Sequence, residues 1–146
     1  MRVFLFVVAM LAALSTAATA GPKEEALQVV EKWSKAFNNS DVDGITNLYA
    51  PDALFLGTGS KTVVTKPEGV HEYFEQLRID MPRGATLNNH EAMILSDNAV
   101  IITGLDTVTR VHDGKPLSAR GRVTFIVAKL GSDWKIVHFH RSAMPE

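Results

Sequence analysis

The sequence contains no cysteine in its 146 residues. A chain without cysteine can form neither disulfide bonds nor thiolate zinc sites, so its folded state must depend on an apolar core. Charge of one sign is also lacking, because 15 Lys and Arg against 16 Asp and Glu give a formal net charge of −1. No long basic run is present, which argues against nucleic acid as the main partner. After Ala20, no apolar run reaches the roughly 20 residues that a membrane-spanning helix needs.

The first 20 residues have the pattern of a processing signal. Arg2 is followed by an apolar run from Val3 to Leu14, and Ala18-Thr19-Ala20 is a small-x-small cleavage site. This pattern predicts a secretory signal peptide over residues 1–20 and a single mature domain over residues 21–146. A membrane anchor is the alternative, but the run is shorter than a bilayer span. We therefore expect an exported protein, either periplasmic or secreted, with no membrane segment after cleavage.

Three helices are expected in the first half of the mature chain. Apolar residues at three- to four-residue spacing predict helices over Lys23–Phe37 and Val42–Tyr49. A third helix should begin near Thr65, where a hydroxyl residue precedes a proline and an acid, and should end before Met81-Pro82. Two short strands, Ala53–Leu56 and Thr62–Thr65, are expected between the second and third helices.

The second half of the chain has the pattern of a β-meander. Four stretches rich in β-branched and aromatic residues are separated by short turns containing Gly, Asn, Asp or Ser. These stretches are Leu87–Leu95, Ala99–Val111, Leu117–Leu130 and Trp134–Ser142. Helices followed by a meander predict an α+β domain in which a curved sheet encloses the helices. The space between the two layers is where a small ligand could bind.

The last stretch, Trp134–Ser142, has apolar residues on both of its faces. Side chains of a strand alternate between faces, so regular alternation predicts two sets: Trp134, Ile136, His138 and His140 on one face, and Lys135, Val137, Phe139 and Arg141 on the other. One helix layer can cover only one face of a sheet. We therefore expect the second face to be covered by another copy of the chain, giving a homodimer or a larger ring.

Turn lengths predict which strand residues lie opposite each other. A two-residue turn at Asp113-Gly114 and another at Gly131-Ser132 predict four cross-strand pairs: Thr107 with Arg120, Leu105 with Arg122, Thr124 with Phe139, and Arg122 with Arg141. Two arginines opposite each other repel unless an anion neutralises them, and guanidinium groups suit carboxylates and phosphates. The alternative is that both arginines point into solvent or pair with Asp or Glu.

Two sets of candidate site residues follow from this register. His138 and His140, with Asp106 two strands away, are candidates for an acid–base catalytic group, although the histidines could equally be polar residues of a subunit interface. The candidate ligand-binding residues are Arg141, Arg122 and Phe139, together with Tyr49, which is chosen because it lies where the second helix meets the first strand. No third ligand accompanies the histidine pair, so no metal is expected, and no motif indicates a cofactor.

The residues and the order of elements resemble those of the NTF2-like cone. The closest likeness is to the association (hub) domain of calcium/calmodulin-dependent protein kinase II and its bacterial relatives. It rests on three stretches: Trp134–Ser142, Tyr73–Leu77 and Leu87–His90 followed by Asp97. Two others, Ala36–Asn38 and Leu48–Ala53, are also typical of SnoaL-like and DUF4440-type proteins. The resemblance implies a homodimer built sheet to sheet, possibly enlarged into a ring, and a polar pocket inside the cone.

The hub pocket has arginines on three strands, and the resemblance carries over only one of them, Arg141. The other two positions correspond to Leu105 and Phe125. Three functions therefore remain open. The protein could be an exported domain that self-associates and binds a small polar or anionic ligand. It could instead be a cone-type enzyme that moves a proton on a small organic substrate, or a pure assembly module. An enzyme requires His138 or His140 inside the cavity, whereas an interface requires them on the outer face of the sheet.

Overall fold

Helices and strands alternate only in the first part of the chain, and the last four elements are all strands. The computed structural model describes residues 20–145, so the predicted signal peptide lies outside the described residues except for Ala20. The helices are α1 (Pro22–Asn38), α2 (Val42–Thr46) and α3 (Pro67–Glu75), the last continued by a 3₁₀ turn, Gln76–Arg78. The strands are β1 (Tyr49–Leu56), β2 (Gly84–Ser96), β3 (Ala99–His112), β4 (Lys115–Leu130) and β5 (Asp133–Ala143).

The five strands form one sheet in the order β1-β5-β4-β3-β2. The last four strands pair antiparallel with one another, and β1 joins the edge by pairing parallel to β5. The α+β class, with helices packed in a curved and mostly antiparallel sheet, is therefore confirmed. In residues 20–145, no helix is long and apolar enough to cross a membrane.

Helix α1 packs into the core through a buried stripe that includes Trp33 and Phe37. The Trp33 ring stacks on Phe139 at a centroid distance of 5.5 Å and meets Phe125 edge-on at 5.4 Å. Its indole Nε1 donates a hydrogen bond of 2.9 Å to the hydroxyl of Tyr49, so the polar edge of the ring is satisfied in the core. Burial raises the pKa of Tyr49 well above its usual value. Tyr49 thus belongs to the core.

The sequence-based boundaries were wrong between α2 and α3. Helix α2 ends at Thr46 instead of reaching Tyr49, and Tyr49 is the first residue of β1. Backbone pairing is the reason. The Ile136 amide donates a 2.8 Å hydrogen bond to the Leu48 carbonyl, so this segment pairs with β5 and forms part of the sheet. The predicted strand over Thr62–Thr65 is also absent, and only Val64 forms a bridge, with Phe55.

Strand β5 contains one extra residue, which changes the register predicted from turn length. The pairs Thr107–Arg120 and Leu105–Arg122 are confirmed. Beyond the Gly131-Ser132 turn, however, Val127 pairs with Ile136 and Ile126 pairs with His138, so Val137 has no partner on β4.

This β-bulge shifts every later residue of β5 by one position. The predicted pairs of Thr124 with Phe139 and Arg122 with Arg141 are therefore wrong. Thr124 lies opposite His140, and Arg122 lies opposite Ser142. The two arginines do not face each other, so the repulsion from which an anion was inferred does not arise.

The bulge also changes which residues of β5 share a face, so the two predicted faces are wrong. Ile136 and Phe139 are both buried and face α1, although regular alternation places them on opposite faces. Arg141 follows Phe139 on this inner face, and His138 and His140 lie on the outer face, the side of the sheet turned away from α1. Because the unpaired Val137 adds one position to the strand, the residue after Ile136 that faces α1 is Phe139 and not His138.

Candidate functional site

The inner face of the sheet holds a buried ion pair between β3 and β5. Arg141 Nε donates a 2.7 Å hydrogen bond to Asp106 Oδ2, and the two side chains are only 11% and 5% exposed. The remaining guanidinium nitrogens donate to Thr58 Oγ1 at 2.8 Å and to the carbonyl of Ala119 at 3.2 Å. Arg141 therefore points inward as a bound cation whose acceptors come from the chain itself.

The neighbouring strand leaves room for this pair only because residue 121 is glycine. A Cβ atom at Gly121 would lie 2.5 Å from Arg141 Nη2 and 2.7 Å from Asp106 Oδ1. Asp106 Oδ1 is buried and has no hydrogen-bond partner among the described residues. The carboxylate thus depends on Arg141 alone for compensation of its charge.

A cavity of about 120 Å³ opens between the helices and the inner face, next to the ion pair. Its deeper walls are aromatic and include Trp33, Phe74 and Phe139. Its polar lining is Thr58, Tyr73, Gln76, Arg83 and Arg141. The arrangement combines apolar walls with a few polar groups near the opening, which is typical of a small-molecule site.

The outer face carries an unbroken row of mainly apolar side chains that crosses all five strands. Cross-strand pairing places its members side by side in the order Leu54, His138, Ile126, Ile101 and Met93. We call this set the outer row. Its two ends are exposed, Leu54 at 48% and Met93 at 61%. The next row is more polar: Leu56, His140, Thr124, Thr103 and Glu91.

The three candidate catalytic residues are not brought together. His138 and His140 lie on the outer face, whereas Asp106 lies on the inner face and is bound to Arg141. Partial burial, with a smaller effect of His140, lowers the pKa of His138. A neutral imidazole in the middle of the outer row is suited to contact with an apolar surface. The geometry contains no acid–base group made of these three residues.

The four candidate ligand-binding residues divide into two pairs. Arg141 and Phe139 line the cavity. Arg122 lies on the outer face, where its Nε donates to Ser142 Oγ at 3.2 Å, and Tyr49 is in the core. Neither Arg122 nor Tyr49 lines the cavity.

Sequence reasoning missed Arg83, Thr58, Tyr73 and Gln76 as lining residues. The first two lie in connecting segments, where hydrophobic periodicity gives no direction for a side chain. Tyr73 lies beside the stripe of α3, and its packing against Gly57 could have been suspected only from the turn at Gly57-Thr58. Within residues 20–145 no group of three or more His, Cys, Asp or Glu residues is arranged to hold a metal ion.

Comparison with known proteins gives a family match and a set of similar structures. Residues 22–145 match the family model described as calcium/calmodulin dependent protein kinase II association domain. A Xanthomonas campestris protein named as such an association domain has 28% identity and a TM-score of 0.78, covering 88% of this chain and 94% of its own.

More distant structures share the fold. A nuclear transport factor 2 (NTF2-like) superfamily protein from Salmonella enterica has 19% identity and a TM-score of 0.73, with 85% of this chain and 92% of its own covered. A ketosteroid isomerase-like protein from Erwinia carotovora has 15% identity and a TM-score of 0.70, with 85% and 97% covered. At these identities the likeness establishes the NTF2-like cone and nothing about activity.

The buried ion pair predicts a strongly non-additive mutant cycle. Arg141→Met should lower the free energy of unfolding by about 3–5 kcal/mol, because it leaves the Asp106 carboxylate buried without a partner. The double variant Asp106→Leu/Arg141→Met should recover much of this loss, since no charge then remains buried. Urea denaturation of the two single variants and the double variant measures the coupling.

The matched control is the exposed pair of Arg78 and Glu75, whose atoms Nη1 and Oε2 are 2.9 Å apart. Arg78→Met should cost at most about 1 kcal/mol, because exposed pairs contribute little. An Arg141→Met variant that loses no more stability than Arg78→Met would show that the Asp106–Arg141 pair is not a buried constraint.

Proposed function

The chain belongs to the calcium/calmodulin dependent protein kinase II association domain family, and on that premise we propose that it is a self-associating module whose protomers pair through the outer face of the sheet. Membership of an association-domain family suggests self-association, and the outer face offers a surface suited to it. The observation that carries this proposal is the outer row, a mainly apolar band across all five strands whose two ends, Leu54 and Met93, are exposed.

The composition of the outer face supports a contact between two copies. Leu54 and Met93 are exposed, and Ile101 and Ile126 between them are half-buried, so apolar atoms lie in one line across the face. A contiguous apolar patch of this kind is uncommon on a soluble monomer. The adjacent row contains Thr124, Thr103 and Glu91, which can supply a polar rim of the kind that surrounds protein interfaces. A two-fold axis through the sheet would place the outer rows of the two copies against each other.

The positions of the histidines favour an interface over catalysis. His138 is part of the outer row and His140 part of the row beside it, so neither can reach a substrate held in the cavity on the opposite side of the sheet. The isomerase-like relative shares the fold only, so it supplies no independent reason to assign proton transfer to this chain.

A second function, binding of a small polar or anionic organic molecule, is supported by the cavity of about 120 Å³ on the inner face. Its aromatic walls can bury an apolar body, and Thr58, Gln76 and two arginines at the opening can bind a polar end. The two proposals are compatible because the outer row and the cavity lie on opposite faces of the sheet.

We also infer that the mature domain acts outside the cytoplasm. The support is the sequence of residues 1–20, in which a basic residue, an apolar run and a small-x-small site follow one another.

Self-association through the outer row can be tested with one added charge. Native mature protein should sediment as a dimer at micromolar concentration. Leu54→Glu should weaken the dimer tenfold or more, since desolvating an unpaired carboxylate costs well above the roughly 1.4 kcal/mol that a tenfold change represents. Leu54 is 48% exposed in the protomer, so the variant should fold normally.

Leu117→Glu is the matched control for the dimer. Leu117 is 41% exposed but lies on the inner face of β4, away from the outer row. This variant should remain a dimer. Native protein that sediments as a monomer at every concentration, or a Leu117→Glu variant as defective as Leu54→Glu, would contradict the proposed interface.

Ligand binding can be tested by filling the cavity. Val108 lines it and is only partly buried, so Val108→Phe should occupy much of the space with a modest effect on stability. Small carboxylates and carbonyl compounds that raise the unfolding temperature of the native protein should not do so for Val108→Phe. Equal stabilisation of both proteins would mean that the compounds bind elsewhere.

Processing provides the test for export. When the full chain is produced in a bacterium with a secretion system, the N-terminal residue of the exported protein should be Gly21. Ala20→Lys should abolish cleavage, because the site requires small residues. Native protein that keeps Met1 and remains in the cytoplasm would exclude export.

A further inference from the structure

The outer row has one ionisable member, His138, and this residue lies among apolar neighbours. Cross-strand pairing places Leu54 of β1 on one side of it and Ile126 of β4 on the other. Its side chain is half-buried in the single protomer, whereas His140 in the next row is exposed. His138 is therefore the ionisable group that a surface packed against the outer row would cover.

The other strands supply no negative charge that could compensate a proton on His138. Within residues 20–145, neither His138 nor His140 lies within salt-bridge distance of a carboxylate, and this includes Asp52 of β1. Glu91 lies on the outer face of β2, which β3 and β4 separate from β5. The charged residue of β4 on this face is Arg122, which lies opposite Ser142 and is itself positive.

The charged groups of β5 near His138 are also positive. Lys135 precedes it and donates a 2.7 Å hydrogen bond to the carbonyl of Asn47, and His140 follows it. Burial, together with a smaller effect of His140, lowers the pKa of His138 below the ordinary histidine value of about 6.5. His138 is therefore neutral at neutral pH, and protonation leaves a positive charge without a partner.

Contact between two outer rows would remove His138 from water. Desolvation disfavours a charged imidazole, so the pKa of His138 is lower in the dimer than in the free protomer. The free protomer then binds protons more readily than the dimer. By linkage, the equilibrium shifts toward separate protomers as the pH falls below about 6.5, and above that pH both states hold a neutral imidazole and the dimer is undisturbed.

We propose that His138 is a pH sensor within the dimer interface, whose protonation places a positive charge in the outer row and separates the two copies. This inference rests on the proposed self-association and specifies how it is regulated. A two-fold interface contains the group twice, so up to two protons are taken up when one dimer dissociates, and the dissociation constant responds steeply to pH.

Sedimentation of the native mature protein at a series of pH values measures this response. The dimer Kd should rise tenfold or more between about pH 7.5 and 5.5. In His138→Gln the same change of pH should alter Kd by less than about threefold, because a neutral amide takes up no proton in this range. His138→Lys stays charged throughout, so its dimer should be at least tenfold weaker than the native one at about pH 7.5. Circular dichroism at each pH establishes that every protomer is folded.

The Leu54→Glu variant provides a second test, because residue 54 lies opposite His138. A carboxylate introduced at this position attracts the imidazolium and raises the pKa of His138. Acidification should therefore weaken the Leu54→Glu dimer by a smaller factor than the native dimer. Equal weakening of both proteins would show that His138 is not the titrating group.

His90→Gln is the matched control. His90 is exposed and shares a cross-strand row with Gly104 and Val123, on the opposite face of the sheet from the outer row. This variant should keep both the native Kd and its pH dependence, and His140→Gln should keep the pH dependence. A response that persists in His138→Gln, or that disappears in His140→Gln or His90→Gln, would overturn the assignment to His138.

The remaining failures separate the sensor from the interface. A native dimer whose Kd does not change with pH would exclude the sensor and leave the interface in place. Native protein that is a monomer at every pH and concentration would exclude the proposed self-association, and the sensor with it.

Discussion

One extra residue in β5, Val137, determines the side of the sheet on which the later side chains of that strand lie. Because Val137 has no partner on β4, Ile136 and Phe139 both face α1. Phe139 then stacks on Trp33, and Arg141 follows it on the inner face. Without the bulge, Phe139 would leave the core and the histidines would enter it. The core, the ion pair and the outer row therefore all depend on this single irregularity.

The ion pair shows how the sheet accommodates a charge that cannot be neutralised. Arg141 keeps its charge at any physiological pH, so its burial requires acceptors supplied by other elements. Asp106 comes from β3, Thr58 from the loop after β1, and the space from the glycine at 121 on β4. None of these residues belongs to a motif that the sequence reveals. They surround the Arg141 side chain only because the fold places three strands and a loop next to each other.

The two faces of the sheet have different chemical characters, and this separation is consistent with two independent uses. The inner face, covered by α1 and α3, leaves a small cavity with aromatic walls and arginines at its opening. The outer face has no covering element in the described protomer and carries the outer row. The proposed assembly would use the outer face and leave the inner face free for the proposed ligand.

The sequence by itself determined most element types, the meander and the register of β3 on β4, because hydrophobic period and turn residues act over a few neighbouring positions. The NTF2-like cone was implied by the resemblance of its motifs to a known family. Sequence reasoning also named Arg141 and Phe139 as candidate ligand-binding residues, and both line the cavity. It could not place Tyr49, His138 or Arg83. Tyr49 belongs to a strand and not to the predicted helix because it pairs with β5. His138 lies on the outer face because of the bulge. Arg83 lines the cavity, and its Nε donates a hydrogen bond to the carbonyl of Ile79 in the same loop. These outcomes were decided by tertiary structure alone, because each depends on contacts between residues that are distant in sequence or on backbone geometry that leaves no periodic signal.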